Sequence, residues 1–220
     1  MCAQSTARPM PDHHAALCSA FLPGLGQLIR ARYGTGLFCA LISVVLVISS
    51  LALGRTSGRS AEIVFFMLLT LPWWAFQSYD AALGPSVTGS DFLRTSRAVW
   101  GQGHDIRFLG LLFLMSAGND AILIAKNPDY LLPFFCMKLQ DTAGVVMKAL
   151  SPALHMLVGL GFLQVKKWSL LVYFVYAAYG TTNALVNLTC FGPGRIRNTL
   201  IIVLVIFTSY LTWRRRIFRL

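Results

Sequence analysis

From Gly36 to Gly54 the chain runs nineteen residues without a charge, and comparable apolar blocks recur to its end. A helix of about 20 apolar residues spans the hydrocarbon core of a bilayer, roughly 30 Å thick. Within that core a segment must satisfy its own backbone hydrogen bonds, which a helix does. Apolar blocks of this length, in place of alternating patterns, point to an all-α, polytopic integral membrane protein. Composition agrees: 56% of residues are hydrophobic and 12% charged, where a soluble domain carries about 25% charged residues.

Six transmembrane helices are expected, within a range of five to seven: Gly36–Gly54, Ala61–Leu83, Arg107–Ala125, Val145–Leu163, Ser169–Phe191 and Asn198–Trp213. The chain then divides into a cytoplasmic tail with an interfacial or re-entrant Pro-Gly segment (1–33), a two-helix hairpin (34–83), a cytoplasmic connection (84–106) and a four-helix membrane bundle (107–220). Residues 15–29, broken by Pro23-Gly24, are too few to span, so they lie at the interface or dip into the membrane and return. The same two possibilities hold for 131–144. In the connection, Phe92, Ser96, Val99 and Trp100 share a helical face opposite Arg94 and Arg97, which predicts a short helix resting on the membrane surface.

The net charge of +11 comes from 19 basic residues set against 8 acidic ones. They form short clusters at span ends, a pattern of topology and attraction to anionic lipid, with no nucleic-acid partner. Placing both termini in the cytoplasm puts twelve basic residues inside, among them Arg30, Arg32, Arg94 and Arg97. The N-terminal stretch lacks a secretory signal pattern. Five cysteines, an odd number without a CxxC pair, predict no structural disulfide and identify no redox compartment.

Against this apolar background a few polar residues stand out. Asp141, Lys148 and His155 recur every seven residues, so on one helix they share a face, with Ser151 beside them. A charge at the bilayer centre costs about 2.5–3.5 kcal/mol on insertion scales, so such a stripe should face other helices or water. Three further spans carry inward polar groups: Gln77 and Asp80; Asn119 and Asp120; Tyr176, Asn183 and Asn187. Two readings follow. In one, a polar intramembrane site holds Asp120 and His155 as a titratable pair, with Asn183 and Tyr176 orienting a ligand and Asn119, Lys148 and Asn187 around them. In the other, these groups hold helices together, at about 0.6 kcal/mol per interhelical hydrogen bond.

One stretch resembles a known family. Phe21-Leu22-Pro23-Gly24-Leu25-Gly26-Gln27-Leu28, followed by Tyr33 and Gly36-Leu37 and closed by Tyr79-Asp80-Ala81 after Trp73-Trp74, is similar to small bacterial membrane proteins related to the two-transmembrane-helix domain family. The resemblance covers about Leu17 to Leu83 and implies a Pro-Gly turn leading into a helical hairpin in a bacterial inner membrane. Pro23, Gly24, Gly26, Gln27 and Asp80 are its motif residues. Three positions depart from it: Ile29 stands where an aromatic is usual, Ala31 where a glycine is usual and Thr35 where a basic residue is common. Gln27 is expected to satisfy backbone groups left unpaired by the turn, and Asp80 to cap or mark the span end.

No hydrolase, metalloprotease or nucleotide-binding motif is present, and no catalytic group, metal or cofactor is expected. The sequence thus predicts a non-enzymatic multi-pass protein acting through the bilayer and through other membrane proteins or a second copy, as an accessory, assembly or sensing component. The alternative is a small transporter or channel carrying a small solute or protons.

Overall fold

The structure, a computed structural model, describes residues 12–85, 91–127, 131, 133–139 and 141–218. Side chains at 60, 141, 195–197 and 199 lie outside that description, as does the expectation for Asp141 in the polar stripe. Ten α-helices are found among the described residues: α1 His13–Phe21, α2 Leu25–Ile29, α3 Tyr33–Ser57, α4 Arg59–Phe65, α5 Leu71–Leu83, α6 Asp91–Gln102, α7 His104–Lys126, α8 Asp141–Leu163, α9 Lys167–Phe191 and α10 Arg195–Arg214. A two-stranded ribbon, β1 Pro133–Phe134 with β2 Met137–Lys138, joins α7 to α8. The chain divides into two compact units, Met1–Gln102 and Gly103–Leu220.

Among the described residues five helical stretches are long and apolar enough to cross a membrane: Tyr33–Ser57, Ala61–Leu83, His104–Lys126, Thr142–Leu163 and Lys167–Phe191. The sixth expected span falls within α10, a helix of 20 residues that is not among these five. On α3 the large apolar residues Leu37, Leu41, Val44, Val45 and Ile48 are exposed, a surface suited to lipid.

In the first unit, α1 packs along α5, and α2 sits against α3. The stretch joining α4 to α5 is a π-turn, Phe66–Thr70, with Leu71 N–H bonding Phe66 C=O five residues back. Pro72 follows immediately. Its ring has no N–H and would crowd the carbonyl four residues earlier, and a widened turn relieves both problems without breaking the span. Phe92 of α6 packs against Phe38, Trp73 and Phe76. Arg94 donates to the carbonyls of Gly84 and Pro85. The expected surface face of α6 is therefore split: Phe92 turns inward against α3 and α5, while Ser96 and Trp100 are exposed.

The second unit is built on the pairing of α7 with α8, its most extensive helix contact. The two cross at Gly110 and Gly159. A Cβ on Gly110 would stand 2.8 Å from the Gly159 carbonyl oxygen, and one on Gly159 would stand 2.9 Å from that of Gly110. Small residues at such a crossing let backbones approach closely, the usual basis of helix packing in lipid. Ile106, Phe113, Val158, Phe162, Tyr173 and Leu211 fill the core beside it. Asp105 at the start of α7 receives Arg214 from the end of α10 (2.7 and 2.9 Å) and the Tyr210 hydroxyl (2.6 Å).

Candidate functional site

Each unit contains a network of buried polar side chains. In the first, the motif residues meet one another. The chain leaves α1, turns at Leu22-Pro23-Gly24 and enters α2 at Leu25. Gly24 takes a φ of 87°, and a Cβ there would collide with the Gly36 carbonyl of α3; one on Gly26 would collide with the Ala15 carbonyl of α1. Only glycine combines that left-handed φ with so close an approach. Ala31, at the end of the same segment, also has a left-handed φ, 57°. That backbone geometry is one that favours glycine.

The turn's backbone groups find partners, though not in the side chain expected. Gly24 N–H donates to the Gln77 carboxamide (3.2 Å) and Gly26 N–H to the Ser19 hydroxyl (3.0 Å). Gln77 Nε2 donates to the Ser19 carbonyl (2.7 Å), and Trp74 Nε1 to the Ala20 carbonyl (2.8 Å). Gln27 reaches outward from the turn instead. It accepts from the Ser19 hydroxyl (2.7 Å) and donates to the Gln77 carbonyl (2.7 Å) and to Asp80 (3.3 Å).

Asp80 is fully buried and is more than a cap. Its carboxylate accepts from Thr95 of α6 (2.7 Å) and lies 2.8 Å from Arg32 Nη2, which lies equally close to Asp91. Nη2 has no hydrogen-bond partner, so the attraction there is between charges. Arg32 Nη1 donates to the Asp80 carbonyl (3.3 Å). Ser19, Arg32, Asp91 and Thr95 escaped the sequence reading because each has an ordinary role elsewhere: Arg32 counts as a topology marker, and Asp91 and Thr95 lie in a polar connection.

In the second unit, Asp120, His155 and Tyr176 come together. Asp120 Oδ2 lies 3.2 Å from His155 Nδ1, and His155 Nε2 bonds the Tyr176 hydroxyl at 2.8 Å. Nδ1 is buried and has no hydrogen-bond partner. The Phe113 ring meets His155 and Tyr176 edge to face, at 5.5 and 5.8 Å. The histidine and tyrosine are buried, while the Asp120 side chain is 29% exposed. Lys148 is also buried on α8, and Asn119 is exposed.

Asn183 and Asn187 do different work. One turn apart on α9, they grip the ribbon: Asn183 Oδ1 accepts Phe135 N–H (2.9 Å) and Asn187 Nδ2–H (3.0 Å), and Asn187 Oδ1 accepts Cys136 N–H (2.8 Å). Asn187 Nδ2 also donates to the Pro133 carbonyl (3.1 Å). Phe135 and Cys136 form the ribbon's two-residue turn with φ of 43° and 67°, a shape that Asn and Gly usually supply. That grip carries Cys136 to Cys190, one turn beyond Asn187, where the two form a disulfide with Cα atoms 5.7 Å apart. The sequence expectation of no structural disulfide is thereby corrected. The partners stand 54 residues apart, so spacing gave no sign of the pair, and only the fold of the ribbon over α9 creates it.

Among the described residues no group of three or more His, Cys, Asp or Glu side chains is placed to hold a metal ion. Gln77 and Asp80 make their bonds within the first unit, and Asp120, His155, Tyr176, Asn183 and Asn187 make theirs within the second. The chain matches no family model, no curated protein and no solved structure.

Proposed function

We propose that this chain is a non-enzymatic, six-span protein of a bacterial inner membrane, an accessory, assembly or sensing component that binds other membrane proteins or a second copy of itself. The observation that carries this reading is how the polar side chains of the spans are used. Gln27, Gln77, Asp80, Asn183 and Asn187 are bonded to one another, to neighbouring helices or to backbone. A solute-binding cavity requires polar groups left free for the solute, whereas these groups hold turns and helices in place. The first unit is read as a relative of the two-transmembrane-helix domain proteins; the meeting of Gln27 with Asp80 supports this, since both belong to the motif.

Both termini are assigned to the cytoplasm. The basic residues favour that orientation, and the disulfide supports it independently. With six spans and cytoplasmic termini, Cys136 and Cys190 fall on the external side, where disulfides form and persist.

A second reading, proton or solute movement, is favoured by one observation: the partly exposed Asp120 leads through His155 to buried Tyr176. Intramembrane ionisable groups are functional candidates by default. Reconstitution separates the two. In vesicles with an imposed pH gradient and an internal pH dye, the first reading expects decay at the rate of protein-free vesicles. Faster decay that His155→Leu abolishes would replace it with the second.

A further inference from the structure

The first unit fixes how deep its N-terminal hairpin lies. Three hydrogen bonds tie α1 to α5: Asp12 N–H to the Ala82 carbonyl, Gln77 Nε2 to the Ser19 carbonyl, and Trp74 Nε1 to the Ala20 carbonyl. As the chain advances from 12 to 20, its partners retreat from 82 to 74. Helix α1 therefore runs antiparallel to α5 and side by side with it, as a helix lying flat across the end of the span does not. Eight residues of helix advance about 12 Å, close to half of a hydrocarbon core roughly 30 Å thick. The turn at Phe21-Leu22-Pro23 thus stands near the middle of the Ala61–Leu83 span.

The chemistry follows the same axis. At the open end of the hairpin Asp12 caps α1, and Arg30 reaches Asp12 (3.9 Å) and the last carbonyls of α5, Ala81 and Ala82. At the turn the exposed side chains are apolar: Phe21 is 86% exposed and Leu22 60%. Non-helical backbone at membrane depth is tolerated only where its polar groups are satisfied by protein. Ser19, Trp74 and Gln77 satisfy them here.

We propose that residues 12–30 form a re-entrant hairpin that enters from the cytoplasmic side, with Phe21 and Leu22 in contact with lipid hydrocarbon. Its inner face covers Gln77 and Asp80, which would otherwise leave a span with a carboxylate toward lipid. The inference rests on the reading that α3 and α5 belong to membrane-crossing helices, and the test separates the two.

Spin labels are placed at Phe21→Cys, His14→Cys and Val44→Cys in a chain whose other free cysteines carry Ser or Ala, the Cys136–Cys190 disulfide being kept. All three positions are exposed, so the substitutions leave the packing intact. The protein is reconstituted in phosphatidylcholine–phosphatidylglycerol vesicles, and relaxation by oxygen is compared with relaxation by a water-soluble nickel chelate. The proposal expects oxygen-dominated relaxation at Phe21→Cys, matching Val44→Cys, and nickel-dominated relaxation at His14→Cys. Nickel access at Phe21→Cys with oxygen dominance at Val44→Cys overturns the hairpin alone. Nickel access at both overturns the spanning reading and the hairpin with it. Protection of Phe21→Cys from both reagents overturns lipid as the occupant.

Discussion

Replacing Arg32 should damage this protein more than replacing the aspartate it pairs with. Arg32→Met keeps the length of the side chain and removes its charge. Asp80, fully buried, would then face only two neutral donors, the Thr95 hydroxyl and Gln27 Nε2. Removing one partner of a buried pair in this way costs about 3–5 kcal/mol. Asp80→Asn is different, because Arg32 keeps Asp91 at 2.8 Å and the amide oxygen can still accept from Thr95. Its cost is that of an imperfectly matched buried polar group, about 1–3 kcal/mol. Asp91→Asn leaves the buried pair whole at a partly exposed position and should cost under about 1 kcal/mol. The double variant Arg32→Met/Asp80→Asn carries no orphaned charge and should be more stable than Arg32→Met alone, a coupling that a double-mutant cycle measures. Unfolding in mixed micelles by titration with a denaturing detergent gives all four values. Equal losses for Arg32→Met and Asp80→Asn that simply add in the double variant would refute the argument.

Three other substitutions probe separate parts of the fold. Gly159→Leu forces α7 and α8 apart at their closest point and should cost about 1–3 kcal/mol or more; Gly118→Ala, in open space on the same helix pair, should cost little by the same unfolding assay. Asn187→Leu removes the bonds that hold Pro133 and Cys136, so maleimide labelling without reductant should find more free thiol at Cys136 and Cys190 than in the parent. Ala31→Gly relieves a left-handed φ and should raise stability by about 1 kcal/mol, read as a shift in the unfolding midpoint.

The long helices were legible because their apolar runs are long enough to cross a bilayer, a coarse rule that needs no tertiary detail. The Ala61–Leu83 stretch was bounded from its apolar run and has those bounds in the structure. Pro72 lies inside that stretch, where a missing N–H disturbs a helix, and the distortion is the π-turn just before it. Within the second unit, Asp120, His155 and Tyr176 could be grouped because polar residues are few in its long apolar helices. What escaped was set by tertiary geometry. Arg32 looked like one of many basic residues at span ends, and nothing in its neighbours reveals that it bridges Asp80 and Asp91. Cys136 and Cys190 meet only because two asparagines fold a ribbon back over α9. Asn183, placed beside a ligand in only one of the two sequence readings, bonds that ribbon, a contact that depends on a turn at Phe135-Cys136 lacking the Asn-Gly signal that marks such turns.

The most direct test of the claim that the interior polar groups serve the architecture is the thermal stability, in detergent, of Asp120→Asn, His155→Leu and Asn183→Leu beside the parent. The account predicts a clear loss in all three, since each removes a partner from a buried cluster or from the ribbon clamp. Residues retained for binding or transport commonly cost stability, and their removal is neutral or stabilising. An unchanged or raised midpoint for Asp120→Asn and His155→Leu would contradict the account and turn attention to the Asp120–His155–Tyr176 cluster as a ligand or proton site.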